Sequence, residues 1–333
     1  MKSFALRHIL RHVLAAAGML SFAIGIFASG VSSRAQAQAY PAKPVRLIAP
    51  SAPGGGLDIF SRLIANKLSE LWGQQMLVEN KPGAAMAIGT DYVAKSPADG
   101  YTLLFVNDGG LIIGPLTSPN PTFSPRDFAP VGQWVAAPLI VLVNEALPVR
   151  SIQELIAELR SKPGKVHMGI GDNNSLLNAE LFKLLAKVDF ENVMYKGGAP
   201  MMQSVIAGET QFSISEPVSG MNAVKSGKVR ALAVTSPQRA KKLPDLPTVI
   251  EAGVPGYVAG TWGGMLAPAG TPREVVAKLN TDVRRVLAMP EVVDRIEAFG
   301  IDVRTGTAGE FGQLIASEAD KWQRVIKERN LKF

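Results

Sequence analysis

Residues 45–60 read VRLIAPSAPGGGLDIF, and the order of residue types across them decides the fold. Val45 to Ala49 is an apolar run of strand length. Pro50 to Gly56 interrupts it with two prolines and three glycines. Beyond them Ile59, Phe60, Leu63, Ile64, Leu68 and Leu71 recur at the spacing of a helix with one apolar face. Strand, glycine-rich loop and helix in that order make the first part of a β-α-β unit, the repeating element of α/β proteins.

The alternation continues downstream. Strands are predicted at Thr102–Val106, Val166–Gly169, Asn192–Tyr195, Gln211–Ser215 and Arg230–Thr235, with helices between them, so the expected sheets are mainly parallel and flanked by helices. Ser151 with Glu154, Thr271 with Glu274 behind Pro272, and Thr307 with Glu310 read as capping boxes at helix starts. The C-terminal part changes character. Val275, Val276, Leu279, Val283, Val286 and Leu287 form one helical face, and a last helix runs roughly from Glu310 to Arg329. Helices that return to cap a sheet begun far upstream imply two crossings between lobes, with Leu139–Val143 and Tyr257–Trp262 as the candidate segments. The expected organisation is a secretory signal at 1–39, a discontinuous first lobe at 40–142 and 261–333, and a second lobe at 143–260.

Composition narrows the chemistry. The 333 residues are 47% apolar and 19% charged, a globular balance, and contain no cysteine, which excludes disulfides, zinc–thiolate sites, iron–sulfur clusters and thiol nucleophiles. Lys2, Arg7 and Arg11 precede an apolar stretch from Val13 to Phe27, followed by small polar residues and the small-x-small triplets Ala35-Gln36-Ala37 and Ala37-Gln38-Ala39. That is the pattern of a cleavable signal, too short for a spanning helix, and it predicts a periplasmic chain cut near Ala37 or Ala39. Removing the four basic residues before Tyr40 lowers the net charge from +7 to +3. With no basic stripe and few aromatics, nucleic acid is not an expected partner.

An enzyme needs a base and a nucleophile, and beyond the signal the sole histidine is His167, inside a predicted strand. There is no GxSxG elbow and no local His/Asp/Glu cluster, so no catalytic residue, metal or cofactor is predicted. Two glycine loops stand out instead. Ser51-Ala52-Pro53-Gly54-Gly55-Gly56-Leu57-Asp58 joins a strand to a helix, so its N–H groups and the helix dipole can converge on an anion; the same residues also suit a plain tight turn. It lacks the endings of nucleotide and dinucleotide loops. Asp58 reads as a first-turn partner of the helix dipole. Tyr195-Lys196-Gly197-Gly198-Ala199-Pro200 is a second loop of this kind, with Lys196 either an anion attractor or a solvated surface lysine.

Seven segments together resemble the periplasmic substrate-binding proteins of tripartite tricarboxylate transporters, the Bug receptors. They are YPAKPVRLIAPSAPGGGLD (40–58), VENKPGA (78–84), DGYTLLF (99–105), YKGGAP (195–200), GKVRALAVTS (227–236), LPDLPTVIEAGVPGY (243–257) and LAPAGTP (266–272). The resemblance covers almost all of residues 40–333. It implies an α/β, two-lobed binding protein of the periplasmic type II (Venus flytrap) kind, acting as a monomer, whose lobes close over a small ligand. It also implies that backbone groups of the first glycine loop and of facing loops hold a carboxylate. The matching residues are Ser51, Ala52, Pro53, Gly54, Gly55, Gly56 and Asp58 in one lobe, and Gly197 and Gly198 in the other.

The chain departs from the family pattern at several cleft positions. Asn107 and Asp108 follow the DGYTLL strand, the second-lobe loop runs through Asp172, Asn173 and Ser175 without a histidine, Ser215 and Glu216 replace an Asp-Asn pair, and Ala85 and Met86 stand where glycines are usual. Asp108 and Glu216 therefore either add acid to the cleft or point to solvent. In the cleft they disfavour di- and tricarboxylates and suit a ligand with an amine, hydroxyl or amide beside at most one carboxylate. The ligand expected is a small organic acid, amino acid or related polar metabolite. The expected partners are the membrane subunits of a tripartite transporter, or alternatively a sensor kinase that reads the closed state.

Overall fold

The first unit forms as its residue pattern dictates. Strand β1 (Val45–Ala49) leads through Gly55, the extended N-cap residue, into helix α1 (Gly56–Trp72), which buries Phe60, Ile64, Ala65 and Leu68. Gly73 ends the helix at φ 62°, a left-handed conformation that glycine adopts without strain. Strand β2 (Met76–Asn80) pairs parallel with β1, and after helix α2 (Ala87–Ala94) strand β3 (Thr102–Asn107) pairs parallel on the other side of β1. A π-helical turn at Gly109–Ile113 and the short α3 (Gly114–Leu116) follow. The computed structural model describes residues 40–333, so the predicted signal lies outside the described residues.

Next come β4 (Phe128–Pro138), β5 (Ile140–Asn144), α4 (Ile152–Ser161), β6 (His167–Ile170), α5 (Asn173–Ala186), β7 (Glu191–Met194), α6 (Gly198–Ala207), β8 (Phe212–Ser215), α7 (Pro217–Lys225) and β9 (Val229–Val234). The chain closes with β10 (Gly260–Pro268), α8 (Arg273–Leu287), α9 (Pro290–Glu297), β11 (Asp302–Val303) and α10 (Ala308–Glu328). One sheet has the order β11-β4-β10-β3-β1-β2 and the other β7-β6-β8-β5-β9.

Both sheets are mixed rather than mainly parallel. The β-α-β parts, β2-β1-β3 and β7-β6-β8, are parallel, and the remaining pairings are antiparallel. The reason lies in the crossings: β4 carries the chain out of the first sheet, β10 brings it back, and an outgoing strand paired with a returning one runs in the opposite sense. The outward crossing is the single residue Leu139, so Ile140 to Leu142 belong to the second sheet and not to the first lobe as expected. Strand β5 is buried on both faces. Ile140 and Leu142 join one apolar cluster with Met201, Met202 and Val205, while Val141 and Val143 join the main cluster with Met168 and Phe212, as the two-residue period of a strand requires.

One of the three capping boxes forms in full, between Thr307 and Glu310; Ser151 makes half of one, accepting from Glu154 N while the Glu154 carboxylate accepts from Arg150 N at 2.7 Å. Thr271 does not cap α8, because its hydroxyl donates instead to Pro268 O at 2.8 Å within the preceding turn, leaving Pro272 as the N-cap residue. Helix α10 packs on β4 and reaches α5 of the other lobe, where Arg329 meets the buried Glu180 carboxylate at 2.6 Å. Burial opposes ionisation of Glu180, but Arg329, Lys183 and Asn192 outweigh it and hold its pKa below the usual value.

Two side chains tie the crossings together. Thr235, fully buried after β9, accepts from Leu139 N at 2.7 Å, and its hydroxyl also lies 3.2 Å from Leu139 O and 2.8 Å from Ala259 O. Leu139 and Ala259 belong to the two opposite crossings, so one hydroxyl bridges them. Asp108, for which the sequence left the cleft and solvent as alternatives, takes neither place and is fully buried at the end of β3. Its Oδ1 accepts from Thr261 Oγ1 at 2.7 Å and Trp262 N at 3.3 Å on β10, and Asn174 Nδ2 of the second lobe stands 3.5 Å from Oδ2. Burial pushes its pKa up from 3.8 to about 7, against the opposing effect of those donors.

Thr235→Val removes the acceptor of Leu139 N at nearly constant volume, and should lower the unfolding free energy by about 1–3 kcal/mol in urea titration. Asp108 binds its proton more tightly in the folded state than in the unfolded chain. Its contribution to stability is therefore full below pH 3.8 and declines as pH rises to about 7. Relative to Asp108→Asn, the wild type should lose up to about 4 kcal/mol across that window; parallel pH profiles for the two proteins would contradict the assignment.

Candidate ligand-binding cleft

Two adjoining cavities lie where the glycine loops of the two lobes meet, and Glu216 lines both. The larger, about 480 Å³, is built mainly from the first lobe: Ser51 and Pro50 from the end of β1, Gly56, Leu57 and Phe60 from α1, Asn107 and Phe105 from β3, and Trp262 and Gly263 from β10. The smaller, about 230 Å³, is built from the second lobe, with Gly171, Asp172, Asn174, Ser175, Gly198, Ser215 and Ser219 on its walls.

The polar residues of the larger cavity are Ser51, Asn107, Thr261 and Glu216. No side chain caps the N-terminus of α1, so the first-turn amides of Gly56 and Leu57 stand at the cavity wall with the positive end of the helix dipole behind them. Asn107 directs its side-chain oxygen to Gly110 N at 3.0 Å. No lysine or arginine lines either cavity. At the α1 end an anion would meet helix amides rather than a cation, while Glu216 stands where the two cavities adjoin. The remaining surface of the larger cavity is apolar, from Phe60, Phe105, Met86, Val135 and Ile301.

Of the loop Ser51 to Asp58, only Ser51, Gly56 and Leu57 reach the cavity. Ala52, Pro53 and Gly54 are exposed, and Gly55 N closes a turn on Ala52 O at 3.2 Å. Asp58 is buried and folds back on its own loop, accepting from Gly54 N at 2.9 Å and Asn80 Nδ2 at 2.9 Å and pairing with Arg62 at 2.9 Å. Burial opposes its ionisation, but Arg62, Gly54 N and Asn80 together keep its pKa below 3.8. It shapes the loop rather than the ligand contact.

In the second lobe Asp172 and Ser175 form a reciprocal cap on α5, and Ser175 Oγ also accepts from Gly171 N and Asp172 N, both at 2.9 Å. Their polar atoms set the loop that lines the smaller cavity. Asn173 turns outward and donates to Thr117 Oγ1 of the first lobe at 3.0 Å. Gly197 takes φ 104° and donates to Gly171 O at 3.1 Å, and a Cβ on Gly171 would come within 3.1 Å of Gly198 N, so the two loops pack backbone on backbone. Lys196 is exposed and lines neither cavity. Glu216 is reached by solvent inside the concave site but ringed by protein, and that partial desolvation, then the Asp172 carboxylate, raises its pKa.

Sequence reasoning missed the aromatic wall. Phe60, Phe105 and Trp262 sit at helix and strand positions that read as core, and only the Tyr257–Trp262 crossing marked part of it. A third cavity, about 400 Å³, lies between the loop 236–241 and α10. Three of its cations are matched, Arg239 by Glu251, Arg304 by Asp302 and Lys321 by Glu318, and Lys241 also lines it, so unlike the cleft it is a strongly charged cavity.

Residues 60–331 match the model of the tripartite tricarboxylate transporter family receptor. BugT of Bordetella pertussis is 33% identical over 316 residues, covering 93% of this chain and 97% of BugT. Among solved structures, Rpa4515 of R. palustris with adipate is 34% identical with a TM-score of 0.71, covering 86% of this chain and 97% of that one. MatC of Rhodopseudomonas palustris with bound malate is 29% identical with a TM-score of 0.68, over 86% and 100% of the two chains. The chain belongs to the tripartite tricarboxylate transporter receptor family, whose members are binding proteins and not enzymes.

Proposed function

We propose that this protein is a periplasmic receptor that captures one small carboxylate-bearing solute between its lobes and delivers it to the membrane subunits of a tripartite tricarboxylate transporter. The observation that carries the reading is the cavity between the lobes that no lysine or arginine lines, to whose wall the N-terminus of α1, uncapped by any side chain, brings the first amides of Gly56 and Leu57. Amides of a first helical turn have no intrahelical acceptor, and a carboxylate supplies acceptors for several at once. The adipate bound to one relative and the malate bound to another support the same class of ligand.

The two halves are joined by Leu139 and by residues 235–260, and closure about these crossings would bring the smaller cavity and Glu216 over the far end of the ligand. With a carboxylate at the α1 end, Glu216 favours a far end that is neutral or donates hydrogen bonds, and disfavours a second carboxylate. Like charges in this setting repel by an amount equivalent to about tenfold or more in affinity.

A thermal-shift screen across mono- and dicarboxylates, hydroxy acids and amino acids tests the reading, because a bound ligand raises apparent stability. Ser51→Ala should weaken every stabilising carboxylate by about fivefold to tenfold, the loss of one hydrogen bond to a charged group. Glu216→Gln should leave monocarboxylates almost unchanged and improve dicarboxylates by about tenfold. Equal responses of both ligand classes to Glu216→Gln would remove the acid from selection, and a screen with no stabilising carboxylate would remove the function.

A further inference from the structure

Ala84, Ala85 and Met86 adopt φ values of 46°, 49° and 75°, three consecutive side-chain-bearing residues in the left-handed region. That region crowds the Cβ of any L-residue, so a run of three is held only where the surroundings fix it. Here they do. Thr90 Oγ1 donates to Met86 O at 2.9 Å, tying the segment to α2. The Met86 side chain lodges over the turn after β3: a Cβ on Gly110 would lie 3.0 Å from both Met86 Cβ and Sδ, and one on Gly109 would lie 3.6 Å from Met86 Cε. Gly110 thus makes room for the methionine, while Gly109 lies in ordinary contact with its tip. Met86 packs against the main core and lines the larger cavity beside Phe105 and Asn107.

We propose that Met86 is the specificity-determining residue of the cleft: it fills the cavity wall beside Phe105 and Asn107 and limits the apolar body of the bound carboxylate to a short chain. This rests on the carboxylate reading above and adds the length and polarity of the ligand to it. The left-handed backbone sets the side chain along the Gly109–Gly110 turn, with Cβ and Sδ against Gly110 and Cε beside Gly109, where the thioether forms an adaptable apolar part of the cavity wall. Without that side chain the same cavity would extend toward the Gly109–Gly110 turn.

The test is isothermal titration of the wild type and Met86→Gly with straight-chain monocarboxylates from butyrate to decanoate, and with adipate as a dicarboxylate reference. Glycine suits the backbone conformation and empties the wall. The expected result is a shift of the tightest-binding acid to a longer chain, with the longer acids gaining about tenfold for each two methylenes newly buried. If Met86→Gly fails to fold, Met86→Asn, which tolerates the left-handed conformation, should show the same shift in smaller measure. An unchanged optimum in a folded variant overturns the role of Met86 and leaves the carboxylate reading intact. No binding of any of these acids by either protein overturns both.

Discussion

The hydroxyl of Thr235 is the contact on which the arrangement of the two halves depends. It lies between Leu139, where the chain leaves the first sheet, and Ala259, where it is about to return, and holds the two crossings side by side. Backbone bonds join the same segments, Thr235 N to Leu139 O at 3.0 Å and Ala259 N to Thr235 O at 3.1 Å, so the two crossings run as one paired connection. The glycine loops after β1 and β7 then open onto a common crevice, and the larger and smaller cavities meet at Glu216. The C-terminal helix adds a second tie through Arg329 and Glu180.

The larger cavity carries no cation and sets the first amides of α1 beside aromatic and aliphatic surface. Such an arrangement avoids the desolvation of a buried cation and orders its donors before the ligand arrives. The acids near the cleft divide by environment. Asp58 and Asp172 are held in loop hydrogen bonds, Asp108 is interior and bonded to β10, and Glu216 alone of the four stands at the junction of the two cavities.

Much of the framework was legible in the sequence because its signals are local. Strand, glycine loop and helix at 45–72, the Ser151 and Thr307 caps, and the crossing before β5 follow from residue spacing and short-range chemistry. Strand direction was not legible, since whether β10 runs against β3 and β4 depends on a connection through another lobe. Within the cleft, individual side chains were not legible: Asp108 is buried against β10, and Asp172 of the second-lobe loop caps its own helix. Phe105 reads as core because an apolar strand residue looks the same whether its neighbour is a side chain or a ligand.

Hydrogen exchange of backbone amides, with and without a carboxylate that raises the melting temperature, tests most directly the claim that both halves grip one ligand. The account predicts concurrent added protection at 51–58 in the first lobe and at 171–175 and 197–198 in the second, with Val45–Ala49 unchanged. Protection confined to one lobe, or centred on 236–241 and α10, would contradict it.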